Sequence, residues 1–499
     1  MRASHSLRLL AAIAIAFVAS GFNRANPAQQ MPPQQQSPTQ GVVKKGKVPV
    51  SDQIIKVKLP TPVEADLPNG LHLMVLEDHR LPQVSFTIYI PGAGGYYDPA
   101  DHAGLATFTA ALMREGTAAR TSEQISQQLE VMAAALAATA SVSGGEATVG
   151  GSCLTDQLDR LLDLAADVLL HPSFPAEELM RYKQRVSAQL TQQRAQPAFL
   201  AQEMFQRVVY GSHPASRISP TIAALDKTTR ESLVEFHRTH FVPDHAAMAI
   251  SGDISMADAR TIAEARLAGW KKTGAPAPTV TDPTPIGVPK IYFIARPNSV
   301  QTNLIVGGQA IERTNPDYDS LQVMNRILGA SPTSRLFQHL REAKGYTYGV
   351  GSALNALQYR GDWAASTSVR TEVTDPALHD LLDEIRQVRD APVTDQELAD
   401  AKRAMIASFA LSLESPQTLL GFAVTGWRYK LPADYWVRYP ERTSAVTKEQ
   451  VQAVGRKYLA ADRLQIVAVG DPTKVSDVLR KLGEVETYDA DGKKVSTQF

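Results

Sequence analysis

Three imidazoles crowd into one short stretch, His237, His240 and His245. Imidazoles three residues apart can share a helical face and hold a divalent ion. The nearest carboxylates, Glu235 and Asp244, stand in no recognised ligand register, so the histidines read as helix-end capping or packing groups. His72, His79 and His102 are isolated by comparison. Cys153 is the sole cysteine, which rules out an intrachain disulfide. It follows a Gly-Gly-Ser turn ahead of a helical pattern and has no nucleophile context, so a buried structural thiol is expected. The glycines at 92, 94, 95, 144, 145, 150 and 151 fit neither a phosphate loop nor a dinucleotide fingerprint and read as turns.

The elements that carry the remaining chemistry are plainer. Residues 84–90 alternate apolar and polar as a half-buried strand, and Pro91-Gly92-Ala93-Gly94-Gly95 breaks it. From Gly104, Leu105, Phe108, Leu112 and Met113 recur at helical spacing until Gly116-Thr117 ends the run. Residues 158–170 and 378–388 predict further helices, and residues 300–306 and 363–369 predict strands. Strands and amphipathic helices mixed in this way predict an α+β fold, with helices packed on one face of a sheet.

Residues 104–117 read Gly-Leu-Ala-Thr-Phe-Thr-Ala-Ala-Leu-Met-Arg-Glu-Gly-Thr. This resembles the pitrilysin/insulinase-type metallopeptidase family, whose relatives include the mitochondrial processing peptidases and the core proteins of a respiratory complex. The family frame is Gly-Leu-Ala-His-x-x-Glu-His-Met at a helix start, where two imidazoles four apart hold zinc and a glutamate activates its water. By that resemblance, Thr107 and Ala111 occupy the two histidine positions, Ala110 the base, and Gln189 the later glutamate ligand. A methyl group can neither bind zinc nor accept a proton. The chain is therefore expected to bind no zinc of its own.

Residues 334–350 look like the family's C-terminal substrate-binding element, in which an Arg and a Tyr seven residues apart approach the scissile peptide. Arg341 and Tyr348 fit that spacing. An Arg fork can donate to a peptide carbonyl or developing oxyanion and a Tyr hydroxyl can donate beside it. A surface ion-pairing Arg and a packed strand Tyr are the alternative. In two-subunit bacterial members one chain carries the zinc motif and the other the Arg/Tyr pair, and this chain resembles the second kind.

An internal repeat supports the same reading. Thr155-Asp156 is echoed by Thr374-Asp375, Glu178-Leu179 by Glu397-Leu398, Lys183 by Lys402 and Ala188 by Ala407, all at an offset of 219. Apolar strands closed by Gly252-Asp253 and Gly470-Asp471 repeat at 218. A period this long indicates duplicated domains. The expected organisation is a signal peptide at 1–20, a disordered Pro/Gln-rich leader at 21–52, and an N-terminal peptidase-like lobe at 53–270. A Pro/Thr/Gly-rich interlobe linker follows at 271–289, then a C-terminal lobe at 290–485 and a tail at 486–499. The resemblance implies that the homologous α/β-sandwich lobes form a clam-like shell.

With 499 residues, 44% of them hydrophobic, the chain can bury substantial cores; Lys plus Arg equals Asp plus Glu at 51 each, which gives no case for nucleic acid. Arg2 and Arg8 precede a short apolar run ending in Val18-Ala19-Ser20, a cleavable signal-peptide pattern too short for a membrane span. Export, to a periplasm, is expected. Together these features predict a non-catalytic, substrate-binding subunit of a periplasmic heteromeric zinc peptidase. Its partners would be a homologous chain bearing the zinc motif and an unfolded peptide. A peptide-binding or assembly protein that keeps only the fold is the alternative, and an independent peptidase with a rebuilt metal site is a third possibility.

Overall fold

The computed structural model of the chain describes residues 55–495. The expected signal peptide and the whole of the leader lie outside the described residues, as does the end of the tail. The first lobe runs β1 (Val63–Asp66), β2 (His72–Glu77), β3 (Gln83–Pro91), α1 (Leu105–Met113), α2 (Ser122–Val131), β4 (Ala135–Ala140) and β5 (Glu146–Leu154). It continues through α3 (Leu158–Leu170), α4 (Ala176–Arg194), α5 (Pro197–Tyr210), α6 (Ile222–Lys227), α7 (Arg230–His240), β6 (Ala247–Gly252) and α8 (Met256–Arg266). The second lobe runs β7 (Ile291–Ala295), β8 (Gln301–Gln309), α9 (Tyr318–Leu328), a π-helix (Phe337–Ala343), β9 (Thr347–Asn355) and β10 (Asp362–Arg370). After it come α10 (Thr374–Asp390), α11 (Asp395–Ser412), α12 (Pro416–Tyr429), α13 (Tyr439–Ala445), α14 (Lys448–Tyr458), β11 (Gln465–Gly470), α15 (Pro472–Arg480) and β12 (Val485–Tyr488).

Each lobe has a six-stranded sheet, ordered β1-β2-β6-β3-β5-β4 in the first and β12-β7-β11-β8-β10-β9 in the second. The two orders match strand for strand except at one edge. There β1 lies antiparallel to β2, whereas β12 lies parallel to β7. The second sheet therefore runs past residue 485, where the tail was expected. A four-residue strand, Val-Glu-Thr-Tyr, is too short for its alternation to register in sequence.

Helices on one face were expected, and both faces of the central strands are covered. In β2, Leu73 and Val75 enter the first lobe's own core, while Met74 and Leu76 point the other way. Alternate strand residues face opposite sides, so a strand buried on both reads as a continuous apolar run. The second face is covered by a helix from the opposite lobe. Leu419, Leu420 and Val424 of α12 pack on Met74, Leu76, Ala247 and Ala249. Reciprocally, Leu200, Met204, Phe205 and Val209 of α5 pack on Ile294, Ile305, Val467 and Val469 of the second sheet.

Helices α5 and α12 are both 14 residues long, begin at Pro197 and Pro416 and end at Tyr210 and Tyr429, so the 219-residue offset holds at both ends. The lysine echo also has a structural basis: Lys183 Nζ donates to the Asp226 carbonyl at 2.9 Å and Lys402 Nζ to the Ser444 carbonyl at 2.8 Å. The Thr155-Asp156 echo is corrected. Thr155 opens the 3-10 turn after β5, and its structural counterpart is Thr371, which opens the 3-10 turn after β10, because α10 is longer than α3.

Residues 271–289 have no regular structure and are pinned rather than loose. Asp244 accepts the backbone N–H of Thr273 at 2.9 Å and of Gly274 at 2.8 Å, and the Arg360 N–H donates to Asp282 at 2.9 Å. Among the described residues, no helix is long and apolar enough to cross a membrane.

Candidate functional site

Helix α1 starts from a buried acid. Asp98 accepts the backbone N–H groups of Gly104 at 2.6 Å and Ala106 at 2.8 Å, satisfying donors that a helix start leaves open. Burial pushes its carboxyl up to about 6, outweighing the backbone donors that favour the ionised form. Gly104 has φ +106° and a Cβ there would stand 2.7 Å from Pro220, so only glycine fits this entry.

Along α1, Thr107, Ala111 and Arg114 form the half-buried face, and Ala110 is fully buried. This face is bonded to edge strand β4: Thr107 Oγ1 donates to the Ala140 carbonyl at 2.9 Å and Arg114 Nη1 to the Leu136 carbonyl at 3.2 Å. Helix α4 crosses α1 with Tyr182 edge-on to Phe108 at 5.8 Å, and Gln189 lies on its exposed side. This donor set does not suit zinc. The one hydroxyl is committed to a carbonyl, two positions offer only methyl groups, and the fourth is a neutral amide. Among the described residues, no group of three or more His, Cys, Asp or Glu could hold a metal ion.

Arg341 and Tyr348 come together. The Arg341 guanidinium carbon lies 5.4 Å from the Tyr348 ring centroid and 4.6 Å from that of Phe337. The π-helix that carries Arg341 is fastened on its other sides: Leu336 and Leu340 are fully buried, and His339 Nδ1 lies 2.8 Å from Glu384 on α10. Arg335 makes a two-pronged contact with Glu397 at 2.6 and 2.9 Å, which holds that carboxyl at about 2 despite its partial burial. Tyr348 is 92% exposed on edge strand β9. It sits where the pairing with β10 slips between Thr367 and Val369, an irregularity of the kind that re-aims side chains. Sequence reading missed Phe337; its spacing of four residues from Arg341 within one helical turn was the available signal.

The three histidines go to three different carbonyls. His237 Nε2 reaches Leu169 at 2.8 Å, His240 Nδ1 reaches Gly92 at 2.8 Å and His245 Nε2 reaches Ala275 at 3.1 Å. Burial lowers the basicity of His237 and His240. His72, read as isolated, lies between Asp66 at 2.9 Å and Glu64 at 3.3 Å. Cys153 is buried, and desolvation pushes its thiol up to about 11. Gly150 and Gly151, expected as a turn, lie inside β5. A Cβ on Gly151 would stand 2.8 Å from the Ala135 carbonyl and 3.0 Å from the Phe86 ring, so the glycine admits that ring across the ladder.

Two family models match the chain. Residues 73–219 match the insulinase family, peptidase family M16, and residues 227–405 match the peptidase M16 inactive domain. The chain belongs to the insulinase family. The first match spans α1 and Gln189, and the second spans the π-helix and β9. Among insulinase-family relatives, an uncharacterized zinc protease of Mycobacterium bovis is 24% identical over 407 residues, covering 80% of this chain and 91% of that protein. One of Bacillus subtilis is 22% identical over 351 residues, covering 70% and 83%. A crystal structure of a peptidase M16 inactive domain from Pseudomonas fluorescens is 28% identical, with a TM-score of 0.76, and covers 82% of this chain and 98% of that one. A protease from Helicobacter pylori, 15% identical with a TM-score of 0.75, covers 83% of this chain and 100% of its own and shares the fold.

Proposed function

We propose that this insulinase-family chain is a non-catalytic, substrate-binding subunit of a heteromeric zinc peptidase exported to the periplasm. Its partner would be a homologous chain with an intact zinc motif, which supplies zinc, water and base. The observation that carries this reading is the contrast between the two lobes. The position that would need ligands has a threonine, two alanines and an amide, whereas Arg341 and Tyr348 stand together at an accessible strand edge. An Arg fork beside a phenol can steady a peptide carbonyl, and any charge that develops on it, without a metal in the same chain. The Arg2-Arg8 apolar leader supports export.

The test is hydrolysis of a quenched, unstructured peptide by the purified chain, alone and mixed with a zinc-motif homologue encoded in the same genome, each with a chelator control. Activity only in the mixture, abolished by chelator, is expected. Chelator-sensitive activity of the chain alone overturns the reading. Silence in both moves the assignment to a peptide-binding protein that keeps only the fold.

A further inference from the structure

The second lobe has a pocket of about 430 Å³ between α9 and α11 and the segment after α12. The rhythm of buried and half-buried residues along α9 repeats that of α1 from residue 106 to 113 with an offset of 215, which sets Gln322 against Thr107 and Arg326 against Ala111. The offset of 219 between α4 and α11 sets Ser408 against Gln189. Gln322, Arg326 and Ser408 all line the pocket. It is therefore the second lobe's counterpart of the first lobe's lost metal position.

Its chemistry is of another kind. Arg313 is 7% exposed, with its guanidinium carbon 3.9 Å from the Tyr318 ring centroid and 5.0 Å from that of Tyr435. Its Nη1 donates to Tyr435 Oη at 2.8 Å, and Arg326 Nη1 donates to the Ala330 carbonyl at 3.1 Å. The side-chain bonds of both arginines run to neutral oxygens, and no Asp or Glu lines the pocket. Phe409, Trp436 and Tyr439 also line it, with Phe409 and Tyr439 at 4.5 Å between centroids and the Trp436 ring centroid 5.9 Å from the Arg313 guanidinium carbon. Aromatic rings and two arginine forks lining one pocket suit a ring that carries an anion: the fork matches a carboxylate and the rings match the ring. The volume falls in the range of small-ligand sites.

We propose that this pocket binds an aromatic carboxylate, with the carboxylate on Arg313 and Arg326 and the ring against Phe409, Trp436 and Tyr439. The ligand is either the C-terminal residue of a peptide ending in an aromatic side chain or a free aromatic acid. This site needs neither zinc nor a partner chain, so it stands or falls separately from the subunit role.

Calorimetric titration of the purified full chain tests it with three probes: acetyl-Ala-Ala-Phe with a free C-terminus, the same peptide amidated, and N-acetylphenylalanine. The free acid is expected to bind about ten-fold or more tighter than the amide, the scale of one lost charge-assisted contact. N-acetylphenylalanine binding as well as the tripeptide supports a free acid as the natural ligand, and much weaker binding supports a chain end. Arg326→Gln is expected to weaken the acid about ten-fold while leaving the amide unchanged. Ser408→Trp, at an exposed position, fills the pocket and is expected to abolish binding of both acids. Equal affinity for acid and amide, no saturation by about 10 mM acid, or unaltered binding in a folded Ser408→Trp variant overturns the proposal.

Discussion

The Ala106 backbone N–H donates to the Asp98 carboxylate at 2.8 Å, so the first turn of α1 hangs on a side chain that is only 6% exposed. Burial raises this acid to about 6 from an ordinary 3.8. The folded chain therefore holds the Asp98 proton more tightly than the unfolded one. Its contribution to stability is complete below about pH 4, falls as pH rises to about 6 and is constant beyond, a change of about 3 kcal/mol. Asp98→Asn does not titrate, so the stability difference between variant and parent, measured by urea unfolding from pH 4 to 7, is expected to shift by about that amount in the variant's favour as pH rises.

In the proposed two-chain complex, Arg341→Ala is expected to lower peptide turnover by about 10- to 1000-fold, on the scale of losing one positioned oxyanion donor. Zinc content and complex formation, read by metal analysis and size exclusion, should stay unchanged. Tyr348→Phe, at a fully accessible ring, should leave the melting temperature unaltered and lower turnover less than Arg341→Ala does. Turnover unaffected by Arg341→Ala removes the assigned role.

Restoring Thr107→His, Ala110→Glu, Ala111→His and Gln189→Glu together is expected to give about one zinc per chain after dialysis. The same change at Ala110 alone puts a carboxylate into a fully buried position with no metal beside it. That single variant should lose about 3 kcal/mol or more in urea unfolding, as an uncompensated buried charge does. A fourfold variant that takes up no zinc weakens most the assignment of Gln189 to the glutamate-ligand position.

Phe205→Ala on α5 removes a fully buried ring from the opposite lobe's sheet and is expected to cost about 3 to 5 kcal/mol. Leu420→Ala on α12, 8% exposed, should cost less, about 2 kcal/mol. Because each helix belongs to one lobe by sequence and to the other by packing, both variants should lower a single unfolding transition, seen as coincident near-UV circular dichroism and tryptophan fluorescence curves. Two separated transitions would contradict this.

Much of the lobe architecture was legible because its signals are local. Alternation at 84–90 became β3, and the apolar rhythm of residues 158–170 became α3 with the same bounds. The Arg341 and Tyr348 spacing could be read because both sit on one continuous helix-to-strand segment. What failed depends on partners distant in sequence. Gly150 and Gly151 look like a turn until Phe86 from β3 is laid across them. The exchange of α5 and α12 left no local mark, since an apolar helix face does not say which sheet will receive it. The Arg313 pocket was invisible for the same reason: its walls come from segments near 313–326, 405–412 and 422–439.

The reciprocal seating of α5 and α12 has an evolutionary consequence. A half-length ancestor with this topology would have left one sheet face bare, and could cover it only by trading a helix with a second copy of itself in a symmetric swapped homodimer. Two such copies joined in one chain, as residues 271–289 join these lobes, would be held at one to one and freed from identity. Each half would then be free to change alone: here one has Thr107 and Ala111 where the other has Gln322 and Arg326, and neither substitution is imposed on both lobes.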